Sequence, residues 1–279
     1  MSSKITKIKD AVRKRFGDDF QLEDNLEINE TLFRILTRSS CRDFKHEQVS
    51  NALLNIICAA AFSSPSKSDL QQRDIIIVNS KDKIANIARL IPGQPWIKNV
   101  PTLVVFCGNN RRQRLLHEWT NVPFENDHLD SFFNAATDAA IALSTFVVAA
   151  EAQGLGCCPI SAIRNEATEL AKLLSLPNHV FPFAGLALGY PQESSKISKR
   201  LPLQVTCHYD QYTENDIKQD IEDYDSLRSN VNEYSSQRLV EKFGTSQNYG
   251  WCEDKIRQYS EPERSNFGQY IRSIGFCLD

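Results

Sequence analysis

Four stretches of this 279-residue chain hold residue types that could do chemistry. The first is Arg38-Ser39-Ser40-Cys41-Arg42-Asp43-Phe44. Two guanidiniums and two hydroxyls in so short a run could clamp a phosphate monoester, because arginine offers paired donors in a rigid fork and serine adds neutral ones. Taken alone, the same residues are more at home at an exposed helix end. The second stretch is Pro65 to Gln72, where Ser66, Lys67, Ser68, Asp69 and Gln71 offer donors and acceptors suited to a polar ring edge or a polyol chain. A solvated connection has the same composition. The third is Gly154-Leu155-Gly156-Cys157-Cys158-Pro159-Ile160-Ser161-Ala162. Its small residues would let a flat ligand approach the backbone, or would simply end a helix. The fourth is Ala184-Gly185-Leu186-Ala187-Leu188-Gly189-Tyr190-Pro191, followed by the adjacent cations Lys199 and Arg200.

Other chemistry is not supported. The five histidines share no spacing and no Ser/His/Asp order stands out, so a hydrolase has no support. The eight cysteines show no CxxC pair and no metal-ligand spacing. Cys58, Cys107 and Cys207 read as free thiols in apolar settings, as expected in a reducing cytoplasm. Cys157 and Cys158 are sequence neighbours whose side chains diverge, which argues against a redox pair.

Hydrophobic spacing gives the elements that must position these stretches. Ile5 to Phe16 reads as a short basic helix. Leu26 to Thr37 carries Leu26, Ile28, Leu32, Phe33, Ile35 and Leu36, which predicts a core-facing helix from about Glu30. Val49, Leu53, Ile56, Ile57 and Ala60 recur at helical spacing up to Phe62. Asp74–Asn79, Pro101–Cys107 and Phe181–Gly189 read as buried strands. Asp130 to Gln153 is apolar nearly all round, which predicts a central buried helix closed by Gly154 and Gly156. Glu214 to Asn232 is strongly charged and reads as a solvated arm. Glu253 to Phe276 predicts one or two terminal helices.

Composition sets the outer bounds. Hydrophobic residues make up 41% and charged residues 24%, and the net charge is -3. That is ordinary globular usage, with no global basic field for nucleic acid or anionic lipid. No run of about 18 consecutive apolar residues exists, so no membrane span is expected. The first residues are charged and do not read as a secretory signal. No GxGxxG follows a strand and no GxxxxGK[ST] is present, so neither a Rossmann nucleotide fold nor a P-loop is supported.

The order of the four stretches is more specific than any one of them. Arg-x-Ser-x-Arg-x-Phe, then Pro-Ser-x-Ser-x-x-Gln before a strand, then Gly-Leu-Gly, then Ala-Gly-Leu-Ala-Leu-Gly-Tyr-Pro, then Arg-Leu-Pro resembles the nitroreductase family over about Thr31 to Leu203. The resemblance implies an α+β sandwich, a central, mostly antiparallel sheet flanked by helices, in a domain-swapped homodimer with FMN at the interface. It implies an N-terminal extension (1–25), a core (26–205) and a C-terminal arm wrapping the partner subunit (206–279). By position, Arg38, Ser39, Ser40, Arg42, Lys199 and Arg200 would hold the FMN phosphate and ribityl end. Ser66, Lys67, Ser68 and Gln71 would contact the flavin, Gln94 would reach its edge, and Ile160, Ser161 and Ala162 would line one face. Arg164 would stand at the substrate mouth, and Arg264 or Arg238 would meet the 2′-phosphate of NADPH.

The implied activity is hydride transfer from NADPH or NADH to a nitroaromatic or quinone-type acceptor by a ping-pong route. The chemistry lies on the flavin, with no side-chain nucleophile and no metal. A flavin sensor or store, and an NAD(P)H:flavin reductase, remain as alternatives. The implied partners are a second copy of the chain and small molecules, without nucleic acid or membrane. The sequence departs from the family pattern at Ser39, Lys67, Asp69, Ser161, Ala162 and Ser198.

Overall fold

The computed structural model describes residues 4–17, 29–193, 195–231 and 233–279. In chain order the helices are α1 (Lys4–Phe16), α2 (Glu30–Thr37), α3 (Asn51–Phe62), α4 (Lys81–Arg89), α5 (Arg111–Thr120), α6 (Leu129–Ala152), α7 (Ala167–Leu174), α8 (Leu203–Thr206), α9 (Ile217–Ser229), α10 (Val240–Phe243), α11 (Trp251–Tyr259) and α12 (Phe267–Ser273). The strands are β1 (Arg73–Val78), β2 (Thr102–Asn109), β3 (Gly156–Ile160) and β4 (Val180–Gly189). The chain divides into two compact units, one of Ser40–Ser195 with Arg264–Asp279, the other of the residues up to Ser39 with Lys196–Glu263.

The larger unit is an α+β sandwich. Its strands run in the order β1-β2-β4-β3, and every neighbouring pair is antiparallel. Side chains of a strand alternate between faces, and here both faces are covered. Leu103, Val105 and Cys107 of β2 face one apolar cluster, with Ile84 and Ile87 of α4 and Leu170 of α7. Val104 and Phe106 face the other, with Leu54 and Ile57 of α3 and Ala142 and Phe146 of α6. All eight residues of β2 are therefore buried, which is why this strand reads as a continuous apolar run. The rings of Phe106 and Phe146 meet edge to face at 5.4 Å. Ser40 adds a parallel bridge to Cys157 at the β3 edge, and the Cys41 N–H donates to the Cys157 carbonyl at 2.9 Å.

The smaller unit is helical. Helix α1 buries Ile8, Ala11 and Val12 and packs on α2. Farther along, Asp225 of α9 accepts the N–H groups of Trp251 and Cys252 at the start of α11. Arg257 of α11 is buried, donates to Glu253 and to the Arg238 carbonyl, and lies against the rings of Phe243 and Tyr249.

Several sequence expectations need correction. Helix α2 starts at Glu30 as expected, but it has no fully buried residue, and Leu32 and Ile35 are exposed. Leu26 and Ile28, and much of the proposed 1–25 extension, lie outside the described residues. Helix α6 is not buried all round: one face packs on the sheet and α3, while Leu129 and Phe133 are 51% and 62% exposed. The Gly156–Ile160 stretch forms a strand rather than a turn. Its pairing with β4 overrides the poor strand propensity of glycine and proline. The charged segment after Glu214 is mostly α9, whose one buried anchor is Tyr224. Cys207 is exposed, not in an apolar setting.

Candidate functional site

The Pro65–Gln72 loop of the larger unit is fixed from beneath. Asp138, wholly buried in α6, accepts the Ser66 hydroxyl at 2.8 Å, the Lys67 N–H at 3.0 Å and the Gln72 N–H at 2.9 Å. Arg73, at the start of β1, donates to the carbonyls of Phe62, Ser64 and Pro65. Arg112 and Gln113 of α5 donate to the carbonyls of Gln71 and Leu70. So held, the loop places Ser68, Asp69 and Gln71 in left-handed backbone, at φ of 48°, 56° and 51°. Non-glycine residues there cost about 1–3 kcal/mol each and persist only where the surroundings over-determine them. The result is a rigid, outward display of Lys67, Ser68 and Gln71, all exposed.

This arrangement refines the roles expected from the sequence. The Ser66 hydroxyl donates to Asp138 and accepts the Gln71 N–H at 2.7 Å. It therefore holds the loop rather than facing outward. Lys67 Nζ donates to Ser68 Oγ, and Gln71 Nε2 to Asp69 Oδ1. Both outer contacts are exposed and exchangeable with a ligand.

In the smaller unit the two expected cation segments come together. Arg38 is the C-cap of α2 and half-buried, and Arg200 is exposed. The buried Arg15 of α1 donates to the carbonyls of Leu36, Arg38 and Ser198. The Arg200 N–H donates to the Arg15 carbonyl at 2.7 Å. Lys199 turns inward: it is buried and its ammonium donates to the Arg13 carbonyl at 3.2 Å. Its part is therefore to tie the 198–200 segment to α1. Ser39 is half-buried in this unit. Ser40, half-buried on its bridge to β3, and the exposed Arg42 belong to the larger unit.

The end of β3 supplies a third surface. Ile160 is buried in the cluster beneath the sheet, so its side chain lines the core and not an open face. Ser161 is exposed and Ala162 half-buried in the following 3-10 turn. Arg164 closes that turn, bonded to the Phe183 carbonyl and set against the rings of Phe183 and Phe267. Burial, and then the neighbouring Arg264, push its pKa down. Arg264 itself reaches Asn165 at 3.1 Å, whereas Arg238 is paired with Asp254. Gln94 is half-buried and stands at the N-cap position of the 3-10 turn Pro95–Asn99, without a side-chain capping bond.

Sequence reasoning missed Asp138, Arg15 and Arg73. Asp138 carried a signal, a lone carboxylate inside the apolar run of α6. Arg15 carried none, being one of several basic residues at the end of α1.

Comparison with known proteins bears on the family and the fold. The nitroreductase family model matches residues 35–190, and the model for the C-terminal domain of that family matches residues 198–279. Helix α1 lies outside both. The FMN reductase [NAD(P)H] of Bacillus subtilis is 36% identical over 255 residues, covering 90% of this chain and 100% of that protein. The NADPH-flavin oxidoreductase of Vibrio harveyi is 27% identical over 250 residues, covering 90% of this chain and 99% of its own length. Among solved structures, NfrA2 of B. megaterium superposes with a TM-score of 0.82 at 31% identity, over 90% of this chain and 100% of that one. With the sandwich and the pinned loop in place, these matches identify the chain as a member of the nitroreductase family.

Proposed function

We propose that this protein is an FMN-dependent oxidoreductase that takes hydride from NADPH or NADH and passes it to a small acceptor. The donor set fits the nucleotide. In the smaller unit Arg38 and Arg200 offer guanidiniums to a phosphate; in the larger unit, taken by itself, Ser40 and Arg42 offer a hydroxyl and a further cation. The Pro65–Gln72 loop offers exposed polar groups to a flavin ring or its polyol chain, and Ser161 and Ala162 are small enough to admit a flat face. When bound, FMN supplies a ring that receives hydride from a nicotinamide and releases it to an acceptor. The chain's residues bind and orient. Arg164 and Arg264 place positive charge beside the 3-10 turn, where an anionic part of the donor or acceptor would be held.

The observation that carries this reading is the left-handed loop pinned by Asp138, Arg73, Arg112 and Gln113. A solvated connection has no need of so much constraint. Among acceptors, free flavin is to be assayed beside nitroaromatics and quinones, because one relative is named an FMN reductase and another an NADPH-flavin oxidoreductase. The open face of α6 and the exposed apolar residues of α2 support assembly as a homodimer.

The deciding experiment is a visible spectrum of the purified protein, followed anaerobically after one equivalent of NADPH. A yellow protein that bleaches within seconds is expected. A protein that stays yellow with both NADPH and NADH would favour a sensor or store. One that cannot be loaded with FMN would remove the reading.

A further inference from the structure

We infer that Arg15, in a helix outside the region shared with the family, is a positioning residue for the flavin phosphate. The inference rests on the FMN reading above and adds a residue and an element to it.

The argument starts from burial. Arg15 is 5% exposed, and a buried guanidinium must find partners for its donors. It finds backbone carbonyls from two distant parts of the chain. Its Nε and Nη2 reach the Leu36 carbonyl at 3.3 and 3.0 Å, and Nη2 also donates to the Arg38 carbonyl. Its Nη1 reaches the Ser198 carbonyl at 2.9 Å. Leu36 and Arg38 lie at the end of α2, where carbonyls have lost their helical partners and carry the negative end of the dipole. Arg15 thus caps α2 and fastens it to the Ser198–Arg200 segment with one planar group.

The return contacts run the other way. The Arg200 N–H donates to the Arg15 carbonyl, and the Lys199 ammonium to the Arg13 carbonyl. One turn of α1 therefore holds the backbone of both Arg38 and Arg200. The Arg200 bond uses its backbone N–H and leaves its side chain exposed. Ile8, Ala11 and Val12 anchor the helix that carries Arg15. Lysine would substitute only in part, since a point charge on a flexible stem cannot bridge three carbonyls in one plane.

The test separates phosphate positioning from plain folding. FMN and riboflavin differ only in the phosphate. Full-length apoprotein, wild type, Arg15→Ala and Arg15→Lys, is titrated with each flavin and followed by quenching of flavin fluorescence. The wild type is expected to favour FMN. Arg15→Ala is expected to weaken FMN about ten-fold or more, the scale of one charge-assisted contact, with riboflavin affinity little changed, and Arg15→Lys to fall between. Equal weakening of both flavins, or an unchanged FMN affinity, overturns the inference. If Arg15→Ala is not recovered folded, Arg15→Lys carries the same comparison with the same two adverse outcomes. A wild type that binds riboflavin as tightly as FMN overturns the phosphate clamp itself, and this inference with it.

Discussion

His179 sits in left-handed backbone at φ 63°, where its N–H donates to the Ile274 carbonyl and its carbonyl accepts the Asn110 N–H. Its Nε2 lies 3.0 Å from the Gly275 carbonyl and its ring packs on Phe276. Burial, and then the Arg114 guanidinium, hold its pKa below the usual 6.5. The folded protein thus binds fewer protons at this site than the unfolded chain. The stability it contributes is full above about pH 6.5 and is lost as the pH falls through the lowered value. Asp127, whose pKa is lowered chiefly by its bond to Arg114, acts in the same direction nearer the carboxylate range. The thermal midpoint is expected to fall from pH 7 to pH 5, and His179→Asn, which tolerates the same backbone, to flatten that fall. Parallel pH profiles for the two proteins would discard this role. At this scale the sequence was legible in residue type and not in partnership. Arg38, Arg42 and Arg200 stood out as candidates for a phosphate because guanidiniums with hydroxyls suggest one chemistry. His179 and Arg15 did not, because their partners are far along the chain.

The elements were legible where their burial was simple. Strand β2 and helix α6 are long apolar runs, and β2 is buried on both faces as such a run demands. Strand β3 was not legible, since Gly156-Cys157-Cys158-Pro159-Ile160 has the composition of a turn and becomes a strand only through its ladder with β4. Gly156 is needed there for space: a Cβ would lie 2.7 Å from the Cys41 side chain. Asp138 is the best case of an element reporting a site. A carboxylate in an apolar helix must be satisfied, and it is satisfied by the loop it shapes. Asp138→Asn keeps the shape but turns one acceptor into a donor, which faces the Lys67 N–H in one orientation of the amide and the Ser66 hydroxyl with the Gln72 N–H in the other. Leaving one such group unpaired costs about 1–3 kcal/mol. The variant is expected to fold with a lower thermal midpoint and to show faster amide exchange at Lys67 and Gln72, together with weaker flavin binding. Unchanged exchange at those two amides would show that the loop stands without Asp138.

The whole molecule raises a question about its surface. A monomer seldom leaves large apolar side chains together in solvent, yet Leu129 and Phe133 of α6 are both more than half exposed, and Ile56 of α3 is 67% exposed. Helix α6 also carries the carboxylate that holds the Pro65–Gln72 loop, so covering its open face and shaping that loop involve the same element. A second copy of the chain is the occupant the family likeness suggests, and two such helices facing each other would bury both apolar faces at once. The protein is accordingly expected to sediment at twice the chain mass. Phe133→Asp would place a charge in that contact, which is costly when buried unpaired, and should shift the protein toward a monomer while leaving the sheet intact by far-ultraviolet circular dichroism. If flavin binds at the contact, FMN affinity should also become dependent on protein concentration in the variant, since ligand and partner then stabilise the same state. A wild type that sediments as a monomer, or a Phe133→Asp variant that dimerises as well as the wild type, would show that this face of α6 serves some other purpose.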